Sequence, residues 1–306
     1  MKLPDCVYNW LVDFFRDRTH CTRFGGDLSE FLRILASIVQ GSAVGPASYV
    51  VTGYDLRALT DGNTMIKYAD DTYLVVPASN HQSCAAEIGH IEDWARVNNL
   101  SLNHAKSAEI VFRLPRSRRA VLIPLPAVTD IPRVEEIKVL GVTLTKKFSV
   151  SQHVDRLLVA CAQSLFALRT LRTHGLPSAA LQMVFQATVV NKLTYALPAW
   201  WGLTTAADRN RLEAFLKRSA KLGFRPINAP TLASICSSAD DRLFQRIISN
   251  SQHLLHQLLP PKHDTQYSLR ERVHDLTLPT RTTVLNNNNF IVRMLYKEFH
   301  YFNSVE

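Results

Sequence analysis

The tetrapeptide Tyr68-Ala69-Asp70-Asp71 is the part of this 306-residue chain that points most directly to chemistry. Two adjacent carboxylates disfavour each other's ionisation, and a bound divalent cation relieves that repulsion. Mg²⁺ takes carboxylate oxygens together with phosphate oxygens and water, and two such ions can hold the attacking and the leaving oxygen of a phosphoryl transfer. Asp70 and Asp71 are therefore candidate metal ligands, although an Asp-Asp pair taken alone is more often a solvated turn.

The flanking residues predict a β-hairpin that presents this pair at its turn. The runs 65–67 and 72–76 are apolar and β-prone, and they leave only a tight turn between them. Helical spacing of apolar residues predicts a helix over 7–16. Ser83 is a predicted N-cap for a further helix, whose apolar face includes Trp94.

The glycine-rich stretch Gln40-Gly41-Ser42-Ala43-Val44-Gly45-Pro46 predicts a loop upstream of the hairpin. Glycines let the backbone approach a ligand closely, and Gln40 and Ser42 could add polar contacts. Glycine-rich turns are common, so the stretch alone is weak evidence. A helix is predicted from this loop through Leu59.

Downstream, a polar segment that ends in Lys106 leads into a predicted strand at 107–112. Lys106 could face a triphosphate or pyrophosphate, although a surface lysine is the default interpretation. A second strand is predicted at 137–144. Gly141 in its middle indicates either close approach of another backbone or a simple β-bulge.

From residue 151 onward, apolar residues at helical spacing predict four amphipathic helices up to about residue 260. This segment has 12 Lys and Arg against 5 Asp and Glu, so it holds +7 of the net charge of +9. The excess suggests a polyanionic partner such as nucleic acid, although a solvated basic helix face explains any single cluster more simply.

The five cysteines are scattered, without CxxC pairs or zinc-finger spacing. They predict reduced thiols in an intracellular protein, cytoplasmic or nuclear, with no disulfide partner. Asp5 and Asp13 interrupt the apolar residues near the N-terminus, which argues against a signal peptide. No run reaches the roughly 18 apolar residues of a membrane helix, so no membrane partner is expected.

The order and spacing of these motifs resemble the reverse transcriptases of non-LTR (LINE-like) retrotransposons. QGSxxGP is followed by YADD about 25 residues later, then by NLSLNxxKS, a VLGV strand and a basic helical segment. The tail is similar too, through Leu269-Arg270-x-Arg272-x-His274, Leu278-Pro279 and Asn289-Phe290-x-x-Arg293-Met294-Leu295-Tyr296.

The resemblance implies an RNA-directed DNA polymerase of class α+β. A partial palm at 1–148, an antiparallel sheet with helices, would precede an all-helical thumb-like domain at 151–260 and a tail at 261–306. Asp70 and Asp71 would bind two Mg²⁺ ions in an intact enzyme, and the partners would be an RNA template, a DNA primer and a dNTP. The other implied roles are nucleotide or template contact by Gln40, Gly41, Ser42 and Tyr68, proton donation to pyrophosphate by Lys106, a primer grip at Leu140 and Gly141, and backbone binding by Arg113, Arg116, Arg118, Arg119, Lys217, Arg218 and Lys221.

The family also has a third metal-binding aspartate on the first palm strand, in a stretch like hydrophobic-Asp-Phe-x-Lys-Ala-Phe-Asp. Asp5, Asp13, Asp17 and Asp27 all lack those flanking residues. We therefore expect a truncated chain, without the first catalytic strand and the fingers. Such a chain would bind Mg²⁺ poorly and have no useful polymerase activity alone. We also expect the YADD strands to show open edges and an exposed apolar face, and the palm half to be less stable than the helical segment.

Two alternatives stay open. The chain could be a non-catalytic retroelement relic that binds nucleic acid through its basic thumb and the stretch 106–119. It could also be an unrelated Mg²⁺ phosphohydrolase that uses Asp70 and Asp71, although nothing else in the sequence supplies a hydrolase base. A third carboxylate beside this pair would favour the polymerase.

Overall fold

The computed structural model describes residues 3–34, 41–113, 126–262 and 274–297. Helices and small antiparallel sheets make up these ranges, so the predicted α+β class is confirmed at this level.

The chain divides into two compact units. Unit 1 comprises Met1–Lys106 with Val128–Asp130, and unit 2 comprises Ser107–Ala127 with Ile131–Glu306. The finer division into palm, thumb and tail stays a prediction.

The described part of unit 1 combines three helices with short strands that pair two by two. The elements are α1 (Asp5–Phe15), β1 (Thr19–His20), β2 (Arg23–Phe24), β3 (Asp27–Leu28), β4 (Leu32–Arg33), α2 (Val44–Thr52), β5 (Thr64–Tyr68), β6 (Asp71–Val75) and α3 (Cys84–Val97), with a 3₁₀ turn at Ala78–Ser83. β1 pairs with β4, β2 with β3, and β5 with β6, each time antiparallel.

The described part of unit 2 is mainly helical and begins with one β-hairpin. The elements are β7 (Glu136–Val139), β8 (Val142–Thr145), α4 (Ser151–Thr173), α5 (Ser178–Phe185), α6 (Asn191–Thr194), α7 (Leu197–Trp200), α8 (Ala206–Lys221), α9 (Leu232–Ser249), α10 (Val284–Asn288) and α11 (Phe290–Leu295). A π-helical turn at Gln186–Val190 joins α5 to α6, and 3₁₀ turns lie at Trp201–Leu203 and His256–Leu258.

A capping box fixes the start of α8 against the start of α4. Thr205 Oγ1 accepts the Asp208 amide over 3.1 Å, and the Asp208 carboxylate accepts the Thr205 amide over 3.2 Å. The Ser151 hydroxyl, on the first residue of α4, also donates to Asp208 over 2.8 Å. Burial raises the pKa of Asp208, but the hydrogen bonds from Thr205 and Ser151 and the charge of Arg211 lower it overall.

The main apolar core lies in unit 2, where Phe185, Trp200 and Phe224 are almost fully buried. Among the described apolar residues of unit 1, only Leu56 and Ala95 are buried. Each buried apolar side chain contributes about 1.5–3 kcal/mol to stability, so unit 1 has little apolar burial of its own. The expected order of stability of the two halves stays a prediction.

Two adjacent ion pairs join α9 to α11 and to the residues just after it. The Arg293 guanidinium pairs with Asp240, which is 2% exposed at its side chain. Two residues beyond the end of α11, Lys297 pairs with Asp241, which is 53% exposed at its side chain. A small apolar cluster of Phe244, Leu276, Met294 and Leu295 completes the contact.

Most predicted helices are present with different limits. The helix over 7–16 is α1, and the one expected through Leu59 is α2, which ends at Thr52. Gly53 follows it, and the Gly53 amide closes the last turn on Tyr49 O at 2.9 Å. No helix in the described ranges is long and apolar enough to cross a membrane.

Both strands predicted after Lys106 are wrong. Residues 107–112 form only a single bridge, Glu109 with Arg133, because Pro132 has no amide to extend the ladder. The strand predicted at 137–144 is instead the β7–β8 hairpin. Leu140 and Gly141 both have positive φ, so the chain reverses where the sequence suggested a continuous strand.

Candidate active site

Asp70 and Asp71 lie at the turn of the β5–β6 hairpin. Tyr68 pairs with Asp71, so Ala69 and Asp70 form a two-residue loop. Ala69 has a φ of 51°, in the left-handed region that costs a non-glycine residue about 1–2 kcal/mol. Both carboxylates are exposed at the tip, at the turn that the sequence predicted, and their role as metal ligands stays a prediction.

One face of this hairpin is open and apolar. Ile66, Tyr68 and Val75 share a face with Asp71 and are 50%, 64% and 52% exposed. Tyr73 lies on that face too, and its hydroxyl donates to Asp71 Oδ2 over 3.5 Å. The described strands β5 and β6 pair only with each other, so the expected open edges are present.

The opposite face carries Lys67, which ties the hairpin to the loop before it. The Lys67 ammonium donates to Leu56 O over 2.8 Å and also to Gly53 O. Burial lowers the pKa of Lys67, the charge of Asp55 raises it, and that of Arg57 lowers it further, so the net shift is downward. These contacts hold strand β5 from its inner side.

A buried carboxylate fixes the rest of this loop. Glu87, on α3, is fully buried and accepts hydrogen bonds from the Leu59 amide at 3.0 Å, the Thr60 amide at 2.8 Å and Asn63 Nδ2 at 2.7 Å. Burial raises the pKa of Glu87, but these hydrogen bonds together lower it below its ordinary value. Since β5 begins at Thr64, Glu87 anchors the residues that lead directly into the strand bearing Tyr68.

Tyr49, on α2, interacts electrostatically with Asp70. The pKa of Tyr49 is raised, first by burial and then by the negative charge of Asp70. The helix that follows the glycine-rich loop therefore contributes a phenol to the environment of Asp70.

The glycine-rich loop is described only in part, because Gln40 lies outside the described residues. Gly41 has a φ of 81° and needs glycine for its conformation. Ser42 Oγ accepts the Gly45 amide over 3.0 Å, so its side chain closes the first turn of α2. Its predicted contact with a nucleotide stays a prediction.

Lys106 is exposed, and its amide donates to the Asn103 side chain over 3.1 Å. In the part of the chain that the structure describes, no hydrogen bond or ion pair joins its ammonium to Asp70 or Asp71. Its predicted role toward pyrophosphate therefore has no support from a direct contact.

In unit 2, the predicted primer-grip residues Leu140 and Gly141 form the tip of the β7–β8 hairpin. The predicted backbone-binding residues Lys217, Arg218 and Lys221 are exposed at the end of α8. Arg113 is partly buried, and the remaining basic candidates, Arg116, Arg118 and Arg119, lie outside the described residues.

The donor set at the YADD turn fits one divalent ion. Mg²⁺ is commonly held by one or two carboxylates, with phosphate and water at its other positions. Asp70 and Asp71 supply two such groups. Within the described residues, no group of three or more His, Cys, Asp and Glu side chains could hold a metal. A second ion would need further ligands.

Comparison with known proteins identifies the segment that contains this turn. Residues 1–144 match the family model described as reverse transcriptase (RNA-dependent DNA polymerase). This segment is therefore similar to reverse transcriptases. The resemblance to reverse transcriptases of non-LTR retrotransposons is thus confirmed for the segment that carries Asp70 and Asp71.

Curated relatives extend the similarity past this reverse transcriptase segment. A "probable RNA-directed DNA polymerase from transposon X-element" of Drosophila melanogaster is 24% identical over 241 residues, 72% of this chain and 25% of the relative. The "RNA-directed DNA polymerase from mobile element jockey" of the same species is 25% identical over 167 residues, 50% of this chain and 18% of the relative. A "probable RNA-directed DNA polymerase from transposon BS" is 23% identical over 287 residues, 85% of this chain and 31% of the relative.

The chain therefore spans about a quarter of the length of the first of these relatives. No solved structure matches it significantly.

The sequence analysis did not single out Glu87, Tyr49 or Tyr195. The Tyr195 hydroxyl donates to the Leu140 carbonyl oxygen over 3.0 Å. Glu87 lies four residues before Ile91 and seven before Trp94, so its place on the apolar face of α3 was a usable signal. Tyr49 and Tyr195 gave no comparable signal, because their contacts reach residues far away in the chain.

Proposed function

We propose that the chain forms part of a retrotransposon RNA-directed DNA polymerase in which Asp70 and Asp71 are the metal-binding carboxylates. The observation that carries the proposal is the two-residue turn that presents this pair within the segment that matches the reverse transcriptase family model. The printed names of the relatives, all RNA-directed DNA polymerases, support the same reaction class.

Bound Mg²⁺ would neutralise phosphate charge and orient the nucleotide for transfer. Asp70 and Asp71 would hold the ion, and Tyr68 would lie beside the primer end. The loop at Gln40, Gly41 and Ser42 would contact the incoming nucleotide and the templating base. The remaining proposed roles are proton donation by Lys106 and a primer grip at Leu140 and Gly141. The substrates would be an RNA template, a DNA primer and a dNTP.

Metal binding tests the first assignment without requiring turnover. The full chain, with a dNTP and a primer–template present, is titrated with Mn²⁺ by calorimetry. Removing one of two carboxylate ligands should weaken Mn²⁺ binding at least tenfold, so we expect this loss in Asp70→Asn and in Asp71→Asn. Asp27→Asn, an exposed carboxylate of the same unit, serves as the matched control. Equal Mn²⁺ affinity in all four proteins would refute the metal assignment.

Primer extension on poly(rA)/oligo(dT) tests the reaction itself. Two carboxylates alone would have to position two dications, so weak incorporation by this chain is the prediction. Robust incorporation that Asp70→Ala abolishes would show that the chain alone is a competent polymerase. Incorporation that survives Asp70→Ala would contradict the proposed site.

A second candidate function is nucleic-acid binding without catalysis, through the end of α8. Lys217, Arg218 and Lys221 are exposed there. Arg218 and Arg169 flank a shallow groove between α4 and α8, and Leu165 and Phe215 are among the other residues that line it. Exposed cations of this kind bind phosphates regardless of sequence.

Salt dependence measures this contact. Replacing Lys217, Arg218 and Lys221 together by alanine should reduce the steepness of log K against log salt by nearly three (~2.7) for an RNA/DNA duplex. The control replaces Arg242 and Arg246 by alanine, because both are exposed on α9 of the same unit. An unchanged slope in the α8 variant would exclude this surface as the binding face.

A further inference from the structure

The β7–β8 turn has a backbone that needs external support. Leu140 and Gly141 have φ values of 44° and 89°, the sign pattern of a type I′ hairpin turn. Asn and Gly are the usual residues in such turns, whereas a leucine at positive φ is strained. A strained residue keeps its conformation only where surrounding groups hold it.

Tyr195 supplies that support directly. Its hydroxyl donates a hydrogen bond to the Leu140 carbonyl oxygen over 3.0 Å. Its ring lies so close to Gly141 that a Cβ there would be 3.1 Å from Tyr195 Cε1. One side chain therefore contacts both turn residues, and its ring disfavours a Cβ at position 141, where the positive φ already favours glycine.

The position of Tyr195 is itself fixed by the core of unit 2. The indole Nε1 of the fully buried Trp200 donates to Tyr195 O over 2.9 Å. Ala196, with a φ of 50°, turns the chain between Tyr195 and α7. The Tyr195 backbone is thus held by buried structure while its side chain is 56% exposed.

Trp200 also supports β8 close to the turn, through His153. Its ring packs edge-on against His153, whose Nδ1 lies 3.5 Å from the amide of Thr143 on β8. The tip of the hairpin and the adjoining part of β8 therefore connect to the same buried tryptophan. The tip is thereby held in a fixed orientation relative to the helices.

We propose that Tyr195 is a positioning residue for the primer 3′ end, acting through the Leu140–Gly141 turn. Tyr195 holds the strained turn in one conformation, so that its exposed backbone and the Leu140 side chain, 40% exposed, meet the primer strand in a constant geometry. This inference rests on the proposed function, since it requires the turn to contact primer.

Binding to two matched duplexes tests the inference without requiring polymerisation. The full chain is titrated with an RNA/DNA duplex that has a recessed primer 3′ end carrying 2-aminopurine. The competitor is a blunt duplex of the same length. Wild type should prefer the recessed end, and Tyr195→Phe should lose about fivefold of that preference, since one hydrogen bond is removed. Tyr8→Phe, another exposed tyrosine, should behave as wild type.

The outcomes separate this inference from the function on which it rests. A preference in Tyr195→Phe equal to that of wild type would overturn the positioning role and leave the primer grip intact. Equal weakening of both duplexes, with a lowered unfolding midpoint, would show a purely structural role and also overturn it. No preference for the recessed end in wild type would overturn the primer-grip assignment itself.

Discussion

The rings of Trp200 and His153 pack edge-on, with centroids 5.2 Å apart and planes at 73°. Since His153 Nδ1 faces the Thr143 amide, it acts as the acceptor and the neutral ring is protonated at Nε2. Burial lowers the pKa of His153, and the charges of Lys138 on β7 and Arg156 on α4 lower it further.

We expect unit 2 to lose stability in mild acid. The unfolded chain binds a proton near pH 6.5, whereas the folded protein does so only at lower pH. The His153 contribution is therefore complete above about pH 6.5 and falls as the pH decreases below it. Urea unfolding midpoints between pH 5 and 8 measure this slope. His153→Gln should flatten it and His174→Gln, an exposed histidine of the same unit, should not. An unchanged slope in His153→Gln would contradict this assignment.

The Glu87 network should control the order of the loop before β5. Glu87→Ala leaves the Leu59 and Thr60 amides and the Asn63 side chain without their acceptor, which we expect to cost about 3 kcal/mol. Hydrogen exchange at Leu59 and Thr60 reports the loss locally. Asp93→Ala, an exposed acid on the same helix, should change it by less than about 0.5 kcal/mol.

The order of this loop should also depend on pH, but the group that titrates is the Glu87 carboxylate and not an imidazole. The pH range is therefore lower than the one expected for the His153 effect on unit 2. Because the folded pKa of Glu87 is lowered, its contribution is present above the unfolded value of about 4.3 and is lost as the pH falls through the folded pKa. The same exchange measurement should show loss of protection below pH 4.3. Protection that persists there in wild type would argue against a carboxylate anchor.

Ala69→Gly should stabilise the YADD hairpin. Glycine adopts a φ of 51° without the Cβ penalty, so we expect a gain of about 1 kcal/mol, reduced by the greater freedom of glycine in the unfolded chain. Ala69→Val should act in the opposite direction. Exchange protection of the β5 and β6 amides measures both variants, and lower protection in Ala69→Gly would contradict the strained turn.

The two ion pairs between α9 and α11 should differ strongly in their contributions. Arg293→Met leaves Asp240 buried without its positively charged partner and should destabilise unit 2 by about 3–5 kcal/mol. Lys297→Met breaks the neighbouring, more exposed pair with Asp241 and should cost less than about 1 kcal/mol. Thermal unfolding compares the two variants directly. Equal destabilisation would mean that Asp240 is not effectively buried.

Asp240 also affects the cysteine beside it. Cys236 Sγ lies 3.5 Å from Asp240 Oδ2, and the pKa of this thiol is raised to about 12, first by burial and then by the Asp240 charge. The thiol therefore stays protonated at neutral pH, as expected of a reduced, unreactive cysteine.

The sequence predicted local features better than distant ones. The YADD hairpin followed from two adjacent β-prone runs, and α8 followed from apolar spacing that ends before Gly223. The continuous strand expected at 137–144 was wrong, because leucine is not a residue type from which a positive φ, and hence a turn, is predicted. Its conformation depends on Tyr195, which lies 55 residues further along the chain.

Large separations along the chain also explain why only part of the candidate site could be predicted from the sequence. Asp70 and Asp71 are neighbours and form a recognisable pair. Glu87, Tyr49 and Tyr195 act through tertiary contacts, and each residue type is ordinary at its position. Glu87 is a support because the packing of whole helices buries it, whereas Tyr195 is exposed and only its backbone is held by the core.

The bond between Tyr195 and Leu140 has a consequence for synthesis on the ribosome. The β7–β8 strands can pair as soon as they emerge, since hairpins form within microseconds. The turn conformation, however, depends on the hydroxyl of Tyr195. The ribosome adds this residue 55 positions later, at about 5–20 residues per second. For several seconds the nascent hairpin therefore has a loosely ordered tip. A chain stalled or cleaved before residue 195 would retain the hairpin but not its fixed turn.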